Sequence, residues 1–411
     1  MKKFMVLMAI MVLMSFIVVI SHPASNVFAQ ETLKLAIPLP LTGTQGKFGE
    51  IEKKSYEIAM DEINAAGGIK GKKLILEFKD SQDKPDFSKE IVEKLIDVEK
   101  QPLIFGEYSS SCSKAVAALA EVKKVPYLVV TGAADDITQM HYRYVFRMNP
   151  PNAYYPSGLM SFLQQVVKPA TMAIIYESSD FGASGAEDMV KQAEKAGIKV
   201  VVKEPYTRET VDYVTFEIKF VPNLIPILAK VKAAKPDVIY MVSYAVDAVM
   251  LMQEIKKLGI DAKLYAGGAA GFAIPEFIQG AKEAAEYVVT ATLWSPQLAY
   301  PGARDFAEKY KRLFGEEPSY HGAEAYSALY VIKDALQRAT TWKPEDIRVA
   351  LEKTNLMTAF GPIKFEDKEG YTNQNFMTTL VEQVLHGQFQ VIWPQEFAHY
   401  VYPTPKWSER K

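Results

Sequence analysis

Cys112 is the only cysteine in this chain of 411 residues, so no intramolecular disulfide can form. Stability in an oxidising compartment must then come from packing. Charge of one sign is lacking too. The formal net charge of -2 offers none of the basic surplus that a nucleic-acid binder carries. Histidine is scarce, with 5 residues, and none falls in a recognisable catalytic signature. G-x-S-x-G does not occur, which excludes the usual nucleophile elbow of an α/β-hydrolase. "GGAAG", residues 267–271, has neither the Lys-Ser/Thr pair nor the Rossmann spacing that phosphate binding requires. There is no low-complexity linker and no short repeat, and past residue 20 no apolar run approaches the length of a membrane span.

The first residues supply an address. Met1-Lys2-Lys3 is positively charged, "FMVLMAIMVLMSFIVVI" from Phe4 to Ile20 is apolar, and "VFA" precedes an expected cut after Ala29. This is the three-part build of a secretory signal peptide, residues 1–29, with an uncleaved N-terminal anchor as the alternative. The signal region holds no cysteine to accept a lipid, so a periplasmic protein is expected rather than a lipoprotein.

Beyond residue 31 apolar strands alternate with amphipathic helices. "TLKLAIPL", "KLILEFK", "PLIFG" and "PYLVVT" are predicted strands, separated by helices that include "DFSKEIVEKLIDVEK" and the serine-rich segment after Gly106. After "FRMNPPNAYYP" a second series begins with "TMAIIYES", "IKVVVKEP", "PDVIYMVSY" and "AKLYAGG" as strands. Such alternation implies parallel sheets covered on both faces, in two α/β units of similar size. Helices return after "YVVTATLW", and the chain finishes with a strand pair turning at His386-Gly387 and a proline- and aromatic-rich tail.

Three stretches, "AIPLPLTGTQGKFGE", "AMDEINAAGGIKGKKLILEFKDSQDKP" and "YESSDFGASGAEDM", resemble the leucine/isoleucine/valine-binding type of periplasmic solute receptor that serves ABC importers. The resemblance runs from about Thr32 to Trp393. It implies a type I periplasmic binding fold: α/β, two doubly wound parallel-sheet domains joined by three hinge crossings, with ligand in the cleft between them. The crossings are placed near Pro150, Thr292 and Phe360. The N-terminal lobe is then 31–150 plus 293–360, the C-terminal lobe 151–292 plus 361–395, and the tail 396–411.

The stretch "YSSSCS" puts Ser109, Ser110, Ser111 and Ser113 at the start of a helix. Backbone N–H groups there lack partners and the helix dipole adds partial positive charge, so a ligand carboxylate can rest on them with hydroxyls completing its shell. The plain alternative is an N-cap with solvated neighbours. By resemblance Ser110 binds the ligand carboxylate, and Thr131 and Ala133 contact the ligand head. Phe48 and Phe181 stand where the family offers aromatic walls, and Tyr244 aligns with a cleft tyrosine. Each of the three could instead be ordinary core or strand-end packing.

One departure bears on the ligand. Amino-acid receptors of this type place an acid where this chain has Gly268, and a buried ammonium without an acceptor is costly. Either another acid serves, with Glu107, Asp180, Asp247 and Glu324 as candidates expected on the surface, or the ligand has no ammonium. The expected function is therefore an exported receptor for a branched-chain or other apolar amino acid, delivering it to an ABC permease. An aromatic or aliphatic carboxylate or amide, or a sensing role without transport, is the alternative. A monomer is expected, with no enzymatic activity, cofactor or metal. The rival, a Cys112 nucleophile, lacks a nearby base in the sequence, and His321 with Glu324 in "HGAE" lacks a partner pair for a metal.

Overall fold

The computed structural model of the chain describes residues 31–207, 224–395 and 403–410. The expected signal peptide, residues 1–29, lies outside the described residues. The first series of elements is β1 (Thr32–Leu39), α1 (Gly46–Ala65), β2 (Lys73–Asp80), α2 (Pro85–Asp97), β3 (Ile104–Gly106), α3 (Ser110–Lys123), β4 (Tyr127–Val129), α4 (Asp136–Gln139) and β5 (Val145–Arg147). The second is α5 (Pro156–Phe162), β6 (Thr171–Glu177), α6 (Asp180–Lys195), β7 (Lys199–Tyr206), α7 (Leu224–Ala234), β8 (Val238–Val242), α8 (Ala245–Lys257), β9 (Leu264–Gly267), α9 (Pro275–Ala281) and β10 (Val289–Thr292). The chain then forms α10 (Ala303–Phe314), α11 (Tyr320–Arg338), α12 (Pro344–Glu352), β11 (Asn355–Met357) and β12 (Pro362–Lys364). It closes with β13 (Glu366–Lys368), β14 (Tyr371–Gln374), β15 (Leu380–Leu385) and β16 (Gln388–Trp393).

In the first lobe β1 pairs with β2, and β3, β4 and β5 form a parallel run. The Glu107 N–H donates to Pro38 O at 3.0 Å, and the Gln101 side chain brackets both backbone groups of Ala36, which sets β1 against β3. The lateral order is thus β2-β1-β3-β4-β5. The second sheet repeats it as β7-β6-β8-β9-β10, extended by antiparallel β15 and β16. A sheet wound in this order reverses direction between its first and third strands, and ligands of such sheets sit beyond the strand carboxyl ends at that switch point.

Strand periodicity explains the layers. In β3, β4 and β5, Phe105, Leu128 and Phe146 face the side packed by α1 and α11, while Ile104, Tyr127, Val129 and Val145 join Val92, Leu95, Val116 and Ala120 of α2 and α3 opposite. Both faces are covered, so the strands carry almost no polar residues.

The third crossing lies later than the sequence places it. Residues 361–374 were expected in the C-terminal lobe, yet β14 pairs with β5 (Gln374 opposite Arg147) and belongs to the first lobe's sheet. The chain joins the second sheet only at β15. The cause is chemical: β13 and β14 are short and polar, and side-chain hydrogen bonds hold them more than an apolar face does. Gln374 Nε2 donates to Asn149 O at 2.8 Å, and Asn375 Nδ2 to Met148 O at 2.9 Å.

The described part of the tail packs on the second lobe. Trp407 Nε1 donates to Ile260 O at 3.0 Å, and the Arg410 guanidinium lies 3.6 Å from the Trp407 ring centroid.

Candidate functional site

The switch point of the first lobe is built by the turns after β1 and β3. Gly106 and Glu107 leave β3 in left-handed backbone, φ 102 and 52. A Cβ on Gly106 would come within 2.6 Å of Ile37 Cγ2, so glycine is required for this exit. Ser109 then caps α3, its Oγ accepting from Cys112 N–H at 3.4 Å. Ser110 Oγ accepts the N–H groups of both Ala133 and Ala134 at 3.1 Å. The Ala133 amide predicted to meet a ligand therefore has a partner inside its own lobe, and Ser110 welds the α3 terminus to the loop after β4. Two accepted bonds leave the Ser110 hydroxyl proton as its remaining donor.

Arg147, fully buried, holds that loop from behind. Its Nη1 donates to Ala134 O at 2.6 Å and Gly132 O at 3.3 Å, Nη2 to Thr138 Oγ1 at 2.8 Å, and Nε to Gln374 Oε1 at 2.6 Å. Burial draws its pKa down to about 10, which still leaves it charged. A fixed cation beneath the loop raises the positive potential there.

Thr131 faces another way. Its Oγ1 donates to the buried carboxyl of Glu52 at 2.9 Å. Phe48, four residues before Glu52 on α1, stacks on Tyr108 with centroids 4.4 Å apart and planes 11° apart. Its edges meet His321 at 4.8 Å and Tyr244, of the second lobe, at 6.2 Å.

The second lobe's switch point carries Phe181, after β6, and Tyr244, after β8, with rings 5.2 Å apart. Asn152, just past the paired prolines, ties the lobes together. Its N–H donates to Ala133 O at 2.8 Å and its side chain to Phe181 O at 3.0 Å. Ser111 Oγ and Lys114 Nζ, on α3, each reach Asp180 at the start of α6 at 2.6 Å. The two switch points thus oppose each other in direct contact.

Their helix termini differ in charge. In the second lobe Glu177 occupies the start of α6, accepting from Gly182 N–H at 2.7 Å, Ser179 N–H at 2.8 Å and Ser179 Oγ at 2.6 Å. That terminus already has its anion. The start of α3 is capped by the neutral Ser109 and has no acid in its first turn.

Gly268 does not look into the cleft. A Cβ there would lie 2.6 Å from Tyr240 Oη, so an acid at this position would clash with the second lobe's own core. Three of the four candidate acids sit away from the surface positions expected, and Asp180 alone is in a partly exposed pair. Glu107 and Glu324 are fully buried and Asp247 is nearly so, while Asp180 is in the interlobe ion pair. Burial pushes Glu107 up to about 7 against hydrogen bonds from Ser88 and Ser81. The metal-like pair in "HGAE" is also internal. Burial brings His321 down to about 3, a neutral imidazole 3.4 Å from Tyr108 Oη and 3.2 Å from Ser319 Oγ.

Sequence reasoning missed Glu52, Tyr108, Arg147 and Asn152. Glu52 was legible as the i+4 neighbour of Phe48, which shares its helix face. Nothing in "YVFRMNPPN" distinguishes a buried arginine from a solvated one. Two hollows, of about 380 and 400 Å³, lie away from the switch points. One is beside Tyr326 and Met357; the other is at the hinge, lined by Trp294, Tyr320 and Glu382.

Known proteins bear on this geometry. The family model described as periplasmic binding protein matches residues 32–383. A Leu/Ile/Val-binding protein homologue of Brucella melitensis is 28% identical over 397 residues, covering 91% of this chain and 94% of that protein. The branched-chain amino acid transporter substrate-binding protein of Streptococcus pneumoniae, solved with isoleucine, superposes with a TM-score of 0.75 at 22% identity, covering 89% of this chain and 100% of that one. A solute-binding protein of an ABC transporter from Rhodopseudomonas palustris, solved with 3,4-dihydroxybenzoic acid, gives a TM-score of 0.74 at 19% identity, covering 87% and 95%. The chain belongs to the periplasmic binding protein family.

Proposed function

We propose that this chain is a periplasmic solute receptor that binds a small apolar amino acid between its lobes and hands it to an ABC permease, without catalysing a reaction. The observation that carries this is the meeting of two switch points, one with an uncharged helix terminus backed by Arg147, the other already filled by Glu177. An anionic head is then held by the first lobe through Ser110 and the Thr131–Ala133 loop. Ser109 caps that terminus, Phe48, Phe181 and Tyr244 enclose an apolar body, and Gly268 contributes only its small size. Cys112, the rival nucleophile, is fully buried, and burial pushes its thiol pKa up, the reverse of activation. A second reading, an aromatic or aliphatic carboxylate, is favoured by that aromatic wall and by the blocked position at Gly268.

A thermal-shift screen of apolar amino acids and carboxylates checks the class of ligand. Ala133→Glu should abolish the shift through bulk and charge, and Phe48→Ala should weaken it. Ser110→Ala should weaken binding by roughly fivefold, about 1 kcal/mol. Normal binding by both Ala133→Glu and Phe48→Ala would move the ligand elsewhere, with the hinge hollow next to be tested.

A further inference from the structure

Behind the aromatic wall lie two carboxyl groups that the anion-binding reading does not use. Glu52 and Glu324 are each 0% exposed. Glu52 Oε1 accepts from Thr131, but Glu52 Oε2 and both carboxyl oxygens of Glu324 have no partner among the described residues, nor does the buried Tyr56 hydroxyl. Burying such an atom without a partner is costly, and several stand unpartnered at one place.

Their placement points to the cleft. Glu52 follows Phe48 by one helical turn, so both lie on the α1 face turned to the switch point. Glu324 follows Tyr320 and His321 by one turn on α11. His321 meets the edge of Phe48, and Tyr320 Oη accepts the Ala270 N–H of the second lobe at 3.1 Å. Thr131, which holds Glu52, is two residues from Ala133. The pair therefore sits one turn beneath the surfaces that would enclose a ligand, beside the loop expected to hold its carboxylate.

We propose that Glu52 and Glu324 form the acceptor for the ligand's ammonium group, in place of the acid that cannot be accommodated at Gly268. This rests on the receptor reading above and narrows it to ligands that carry an ammonium group beside their carboxylate. The chemistry is consistent. Burial, reinforced for Glu324 by the charge of Glu52, pushes both carboxyls well above the usual range, so the empty pair holds protons. An arriving ammonium replaces a proton there and supplies donors to the unpartnered oxygens.

The experiment is a calorimetric titration of the full mature chain with apolar L-amino acids and their deaminated counterparts, leucine with 4-methylpentanoate and phenylalanine with 3-phenylpropanoate. Glu52→Gln and Glu324→Gln are titrated alongside. Both substitutions preserve shape and match the protonated, uncharged form of the empty pair, so folding is retained. The wild type should prefer the amino acid by about tenfold or more, and each variant should lose most of that preference while still binding the deaminated partner. Equal or better binding of the deaminated set by the wild type overturns the pair's role and leaves the receptor reading standing. So does an undiminished preference in both variants. Binding of neither set overturns both.

Discussion

Glu382 sits on β15 with its carboxyl nine-tenths buried, and burial alone pushes it up to about 8 from its ordinary 4.5. A carboxyl raised on folding binds its proton more tightly in the native chain. Its stabilising contribution is complete below pH 4.5 and is lost as the pH climbs towards about 8. Glu382→Gln should therefore gain stability over the wild type between pH 5 and 8, by an amount on the order of a few kcal/mol. Urea unfolding of both proteins at the two pH values measures this, and a difference unchanged with pH would refute it. Single residues were also where the sequence was least informative. The serine cluster stands out by its neighbours and the two phenylalanines by the family resemblance, whereas Arg147 and Glu52 look like any solvated charge until the packing around them is known.

At the scale of elements, the strands of both sheets were legible because burial on both faces leaves runs such as "AIIY" and "VIYMV" with no polar residue. The β13–β14 pair was not legible, since "EDKEGYTNQ" lacks alternation and its pairing depends on amide side chains from distant positions. The tail left both outcomes open. Its described end is a docked element, with Thr404 N–H bonded to Lys263 O at 3.3 Å and Trp407 tilted against Tyr265 at 5.4 Å. Trp407→Ala should cost about 1–2 kcal/mol and lower the melting midpoint by roughly 2–8 °C, without altering ligand affinity. Calorimetry of the variant checks both parts, and an unchanged midpoint would show that the docking contributes nothing.

Across the whole molecule, the lobes meet through a few polar links around an aromatic centre. Lys114 bridges Asp136 and Asp180 at 2.6 Å each, with side chains about one-third to one-half exposed, and Lys47 reaches Glu276 at 2.9 Å. Partly exposed pairs contribute about 0–1 kcal/mol, so Asp180→Asn should weaken ligand binding by no more than about fivefold, and added salt should shrink the difference. A larger loss, insensitive to salt, would show that Asp180 acts by something other than a surface ion pair. Two α/β units with parallel sheets were readable from the order of strands and helices, and their doubly wound, facing arrangement from the family resemblance. The late third crossing and the buried acids depend on contacts between residues far apart in sequence, which local patterns do not carry.

The filled terminus of α6 also has a consequence in time. With Glu177 seated there, the second lobe has no comparable grip to offer an anion. On the receptor reading proposed above, cargo stays with the first lobe when the lobes part, so escape proceeds in two stages: a swing, then a detachment. The dwell of a half-released ligand is then governed by one lobe, and opening the other is not by itself enough to set it free.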